Sequence, residues 1–424
     1  MSDIMQNTAT LNDVLPSFIK NVEIIGRADE EVQKFRKLNA AVKDASPISC
    51  EVSANSTPNL VTTKAVRQIY QKNDFSKIAQ LEKQAQQDLQ NIYSNIANHK
   101  EKAWVKVKAI VDGQEKEVYM TWSANACMWI YQKDSRTDKS GDDTKYINDV
   151  QVGIYSKSTS IMGLHTYNLT LTSMIAETAI CFMVTKALSK IISDGIGLLV
   201  AKLAPYIIEA AIELGFEAFS CTVLAAALST VACCLVFVVV FIGLSYLWDW
   251  LNRKYTIRLQ IYNWDKDNAW CIGKQYTDNA KIAGDNSQQD IQNIHIQKLE
   301  DPDFPPFIQP VEVIDTVCHY AVIIWENDNT FMEGCSMALQ LKKENKDEGF
   351  MWAFDCPRFS KNKNKGDNGL MDPKDYFKKD NWNSSPKDFS INSTSDNIPI
   401  SFALDALSGA DDNLYNINIH INYK

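Results

Sequence analysis

The sequence predicts an α+β protein: a helical N-terminal region with one β-hairpin, an apolar three-helix block, and a C-terminal antiparallel β-sandwich. Three observations predict it. Apolar residues recur at helical spacing through the first hundred positions, Ala218 to Trp248 carries no charged side chain, and after Trp250 the pattern switches to period two. The predicted domains follow: 1–170, a helical region with a hairpin; 171–250, an apolar helical block; and 251–424, a β-sandwich.

In the first region, Val32, Phe35, Leu38, Ala41 and Val42 repeat at helical spacing, and a longer stripe follows at Ile78, Leu81, Ala85, Leu89, Ile92 and Ile96. Its opposite face is rich in Gln and Lys, so this helix is expected to cover something. Ser46 to Thr63, with Pro47 and Pro58 among Ser, Thr and Asn, reads as a loop. Trp104–Lys108 and Val118–Trp122 alternate on either side of Asp112-Gly113, a strong hairpin signal. Asp134 to Asp143 reads as a polar loop, and Val150–Tyr155 and Thr166–Thr172 as further strands.

The block divides into helices over about 171–193, 196–216 and 218–248, with Gly195 as a stop and Pro205 bending or starting the second. At 1.5 Å per residue the charge-free run is about 45 Å long, more than a hydrocarbon core of ~30 Å requires. Yet mean hydropathy is -0.24, the formal net charge is -9 and 22% of residues are charged. A buried central helix, a constitutive span, and a span hidden in the fold until release all fit the run. The third is preferred, because the two preceding helices are semi-polar and could shield it. Leu224, Val231, Leu235, Val238, Phe241 and Leu244 are the expected inserting residues; Leu, Ile, Phe and Val each favour a bilayer by roughly 0.3–0.6 kcal/mol at its centre. Glu209, Glu213 and Glu217 share one helical face: a solvated stripe, or a pore lining or pH trigger.

Beyond Trp250 the strand candidates are Thr256–Tyr262, Ile291–Gln297, Tyr320–Trp325, Ser336–Leu341, Phe350–Phe354, Ile398–Leu404 and Asn413–Tyr423. Ser360 to Asn397 is Lys-, Asn-, Ser- and Asp-rich and reads as a long surface loop. Within it Lys361, Lys363, Lys365, Lys374, Lys378 and Lys379 mix with Tyr376, Phe377 and Trp382, either a solvated loop or a patch for lipid headgroups.

No enzyme signature is present: GxxxxGK[ST], GxGxxG, HExxH and GxSxG are all missing, and Cys318-His319 would point to opposite faces of a strand. Ten cysteines without a CxxC and five scattered histidines argue against zinc. A pI near 5.2 argues against nucleic acid. The expectation is no enzyme, no metal and no cofactor. The opening MSDIMQNTATLND has no basic n-region or apolar h-region. It predicts synthesis in the cytoplasm with free thiols, release by a non-classical route, and action at a target-cell membrane.

Arg253-Lys254-Tyr255-Thr256-Ile257, Asn263-Trp264-Asp265, Ala269-Trp270, Tyr320 to Glu326, Asn327-Asp328-Asn329-Thr330 and Phe354-Asp355-Cys356-Pro357 come in an order similar to that of the actinoporin-like sandwich, over about 250–385. In that family a helix before the first strand inserts into membranes and the sandwich binds lipid. The resemblance implies that Pro357 lies near a phosphocholine pocket with Tyr376 as a wall. Asp355 and Arg358 depart from the family pattern, where a small hydroxyl and an aromatic stand. The apolar block resembles that of α-helical pore-forming toxins. The expectation is a soluble pore-forming toxin-like protein that docks through Pro357, Tyr376, Phe377, Trp382, Lys378 and Lys379. Its expected partners are a membrane lipid or glycan receptor, further copies of itself, and a second toxin component. The alternatives are a constitutive integral membrane adaptor and a non-lytic lipid- or glycan-binding module.

Overall fold

The computed structural model describes residues 14–41, 50–52, 59–140, 143–171, 256–282, 291, 294–301, 303–314, 316–327, 334–357, 359–408 and 414–424. Its elements begin with β1 (Val22–Arg27), α1 (Ala28–Ala41), β2 (Cys50–Val52), β3 (Asn59–Thr62), α2 (Lys64–Gln71) and α3 (Phe75–His99). Then come β4 (Val105–Val111), β5 (Gln114–Trp122), β6 (Ala126–Ser140), β7 (Asp143–Ser156) and β8 (Ile161–Leu171). The remainder is β9 (Thr256–Asn263), β10 (Trp270–Asp278), β11 (Ala280–Ile282), β12 (His295–Ile296), β13 (Thr316–Asn327), β14 (Cys335–Lys343), β15 (Gly349–Cys356), β16 (Lys363–Asn368), α4 (Pro373–Lys378), β17 (Asp388–Ser393), β18 (Ile398–Leu404) and β19 (Leu414–Ile421). The chain is α+β.

One 14-stranded sheet runs β1-β4-β5-β6-β7-β8-β3-β13-β9-β19-β18-β17, with β11 on β13 and β2 on β8; a five-stranded sheet runs β12-β10-β14-β15-β16. The four-residue β3 joins the N-terminal strands to the C-terminal ones. Ile257, Leu259 and Ile261 of β9 and Ile417 and Ile419 of β19 share a core with Met337, Leu339, Trp352 and Phe354 of the smaller sheet. A second core packs Val107, Met120, Trp129 and Leu164 against Phe18, Ile19, Phe307 and Ile308, which lie on two chain segments bridged at Ile19 and Ile308.

Local chemistry starts and stops these elements. Asp112 and Gly113 have φ of 51° and 76°, the pair of positive values that a two-residue hairpin turn demands. Thr63 and Asp74 cap α2 and α3, their side-chain oxygens accepting from the amides of Val66 and Lys77 at 3.2 Å each. Gly153 sits directly opposite Trp129, and a Cβ there would run into the indole ring.

Four expectations are corrected. The first hundred residues are not all helical: β1 precedes α1, and β2 and β3 lie within the expected loop 46–63. A strand of three or four residues shows no period, so only its partners reveal it. Asp134–Asp143 is not a loop: the β6–β7 ladder continues to Ser140 opposite Asp143. Its polar residues hide it: Asp134 to Asp138 are exposed on both faces of the ladder. Residues 360–397 are not one surface loop either: they contain β16, α4 and β17. The expected strand Ile291–Gln297 shrinks to His295–Ile296.

Candidate functional site

The predicted docking cluster is built around Lys365. Asp372 caps α4, accepting from the amides of Lys374 at 3.0 Å and Asp375 at 3.3 Å, with Pro373 at the first helical position. From β16, Lys365 reaches the other end of α4. Its Nζ donates to the carbonyls of Tyr376 and Lys379 at 2.7 Å each and to Asn381 Oδ1 at 2.9 Å. The ammonium also lies 4.4 Å from the ring centres of both Tyr376 and Trp382. Asp367 completes the cluster, accepting from Tyr376 Oη and Asn381 Nδ2 at 2.8 Å each. Burial pulls the Lys365 ammonium down to about 8, with Asp367 opposing. Burial, then the hydrogen bond to Asp367, pushes the Tyr376 phenol up.

Of the predicted docking residues, Tyr376 is only 1% exposed and packs with Ala338, Met351 and Ala353. Phe377 and Trp382 are half-buried against that cluster, with ring centres 5.4 Å apart. Pro357 is half-buried, while Lys378 and Lys379 are exposed. The lysines therefore divide: Lys365 is buried, and Lys361, Lys363, Lys374, Lys378 and Lys379 face water. The faces of Tyr376 and Trp382 already hold the chain's own ammonium. Phe359, 83% exposed, is an aromatic that the sequence reading missed; nothing in its local pattern distinguishes it.

Leu224, Val231, Leu235, Val238, Phe241, Leu244, Glu209, Glu213 and Glu217 lie outside the described residues, but both attachment points of the apolar block are in view. Leu164 pairs with Asn59, Asn59 with His319, and His319 with Asn263, forming one row across the sheet. From that row β8 runs to Leu171 in the same direction in which β9 runs back to Thr256. Residues 172–255 therefore leave and rejoin the sheet at the same end. At that end β2 lies beside β8 and β11 beside β13, so at least four strand spacings, about 19 Å, separate the two points.

Among the described residues no helix is long and apolar enough to cross a membrane, and no group of three or more His, Cys, Asp or Glu could hold a metal ion. Cys127, Cys271, Cys318, Cys335 and Cys356 are buried and free. Burial raises each thiol, Cys356 to about 12, which disfavours the nucleophilic thiolate.

No family model matches the chain, and no curated protein matches it. Among solved structures it is similar to the crystal structure of IP-1A from Alcaligenes faecalis, at 15% identity and a TM-score of 0.23, over 40% of this chain and 92% of that one. At that TM-score the likeness carries no argument about fold or function.

Proposed function

We propose that this chain is a soluble pore-forming toxin-like protein that docks on a target membrane and inserts its sequestered apolar segment to permeabilise it. The observation that supports this reading most is the placement of both ends of residues 172–255 at one end of the sheet. Leu171 is hydrogen-bonded between β2 and β7, and Thr256 between β13 and β19. A segment attached in this way can change place while every ladder around it stays intact. In this reading the paired sheets of the C-terminal half form the sandwich that docks. Lys378, Lys379, Phe377 and Trp382 meet the membrane, while Tyr376 supports them from within. Further copies of the chain then assemble the pore.

Dye release from liposomes of varied composition and pH tests the reading. Leakage is expected, and Val238→Asp should abolish it, because a carboxylate at the bilayer centre costs about 2.5–3.5 kcal/mol. A folded Val238→Asp protein that leaks undiminished, or a parent that leaks from no composition, overturns the reading. A chain that can be extracted only with detergent would instead be a constitutive membrane protein.

A further inference from the structure

On β9 and β19 the residues that alternate with the apolar ones face α2 and α3, and one of them is His420. It is buried and stacked on Tyr262, whose ring centre lies 4.7 Å away at an interplanar angle of 11°, while the Trp264 ring lies beside both, its centre 6.2 Å from each. Its hydrogen bonds fix its proton. Trp264 Nε1, which can only donate, lies 3.1 Å from Nδ1, so Nδ1 must accept. Nε2 then carries the hydrogen and donates at 2.9 Å to Oδ1 of Asn73, in the turn between α2 and α3. Asn418 Nδ2 donates to the same oxygen at 3.0 Å. The neutral Nε2–H imidazole fits every partner. The doubly protonated ring fits none better and sets two N–H groups against each other at Nδ1.

Among the described residues, the carboxylates near the cluster are already engaged. From α2, Arg67 faces the cluster, its guanidinium 4.9 Å from the Trp264 ring centre, beside Tyr70. From α3, Glu82 is held by Arg258 of β9 at 2.7 and 3.3 Å. Asp74, next to Asn73, accepts from the Lys77 amide and pairs with its ammonium at 2.9 Å. Asp265, next to Trp264, accepts from the Asp267 and Asn268 amides and from Asn268 Nδ2.

We propose that His420 is an acid-sensitive latch whose protonation frees the α2–α3 pair from the large sheet. Burial lowers the folded imidazole from 6.5 to about 3. The unfolded or undocked chain therefore takes up the proton first. The latch is at full strength above pH 6.5 and is lost as pH falls toward 3. Undocking carries Glu82 away from Arg258, two residues after the apolar segment rejoins the sheet. That consequence rests on the proposed insertion; the latch itself does not.

Hydrogen–deuterium exchange of the full chain at pH 7 and pH 4.5, compared with His420→Gln at each pH, tests it. After correction for the intrinsic pH dependence of amide exchange, acid should raise the opening of residues 64–99 at least tenfold more in the parent than in the variant. An equal rise in both, or protection of 64–99 retained in the parent at pH 4.5, overturns the latch. Should His420→Gln fail to fold, an NMR titration of the native parent decides. An imidazole that stays neutral until the helices open supports the latch; reversible titration near 6.5 in the intact fold overturns it. Dye release at the same two pH values separates the readings: acid opening of 64–99 without leakage upholds the latch and counts against the pore.

Discussion

Single residues concentrate the largest energetic stakes where the sheet meets α3. Glu82 and Arg258 form a bidentate pair with side chains only 6% and 3% exposed. Desolvation works against such a pair, and burial raises the Glu82 carboxyl even with Arg258 beside it. Removing one partner strands the other charge. Arg258→Met alone should therefore cost about 3–5 kcal/mol in chemical denaturation, while Glu82→Leu with Arg258→Met should recover most of that loss. If the double variant is as unstable as the sum of the single ones, the two charges are not coupled and this argument fails. Gly153 makes a steric test. Gly153→Ala drives a methyl into the Trp129 indole, whose Nε1 is held at 3.2 Å by Gln151. A loss of about 1–3 kcal/mol is expected in thermal melts, and a neutral outcome would mean that the indole moves freely.

Elements show what could be read in advance. The α3 stripe was legible because Ile78, Ala85, Leu89, Ile92 and Ile96 all bury one face; Glu82 and Asp88, buried on that face too, were not, since their partners lie on distant strands. Asp88 accepts from Ser156 Oγ and Ser158 Oγ at 2.8 Å each, contacts more than sixty residues away that no local pattern reports. On β9 the alternation of Ile257, Leu259 and Ile261 was visible. Alternation alone does not tell that the opposite face is buried too, where Glu82 of α3 meets Arg258 and Tyr70 of α2 meets Tyr262. The docking cluster was legible in composition but not in its division into buried and exposed lysines, because a lysine between aromatics looks alike on a surface and in a cage. Replacing Tyr376, Phe377 and Trp382 together should therefore lower stability as well as membrane binding. Lys365→Met, which orphans the carbonyls at the end of α4, should cost about 1–3 kcal/mol and raise amide exchange over 373–382. Lys374→Gln with Lys378→Gln and Lys379→Gln should leave the fold untouched. It should weaken binding to anionic liposomes, most at low salt, where screening lengths exceed about 10 Å. If the Lys365 variant is neutral and the exposed-lysine variant unfolds, the division between inner and outer lysines is wrong.

At the scale of the molecule, the large sheet is a scaffold with one long interruption. Its strands on both sides of residues 172–255 are fixed by pairings that do not involve those residues: β8 by β7, β3 and β2, and β9 by β13 and β19. Every residue of β9 is buried, between α2–α3 on one face and the smaller sheet on the other. Excising 172–255 should therefore leave a chain that still folds, provided the gap is bridged. The gap is at least about 19 Å, and a flexible Gly/Ser linker of about fourteen residues has a root-mean-square span of roughly 19–22 Å. The shortened protein should melt cooperatively, keep the tryptophan environment of Trp264 and Trp352, and retain liposome binding through the Lys378–Trp382 region. It should release no dye. Each readout fails separately. A shortened chain that cannot fold would place the apolar segment in the permanent core, as a central helix and not a stored one. One that folds and still permeabilises liposomes would move membrane activity onto the strands. Folding with binding but without leakage is the outcome expected if the apolar segment is cargo that the sheet carries to the bilayer.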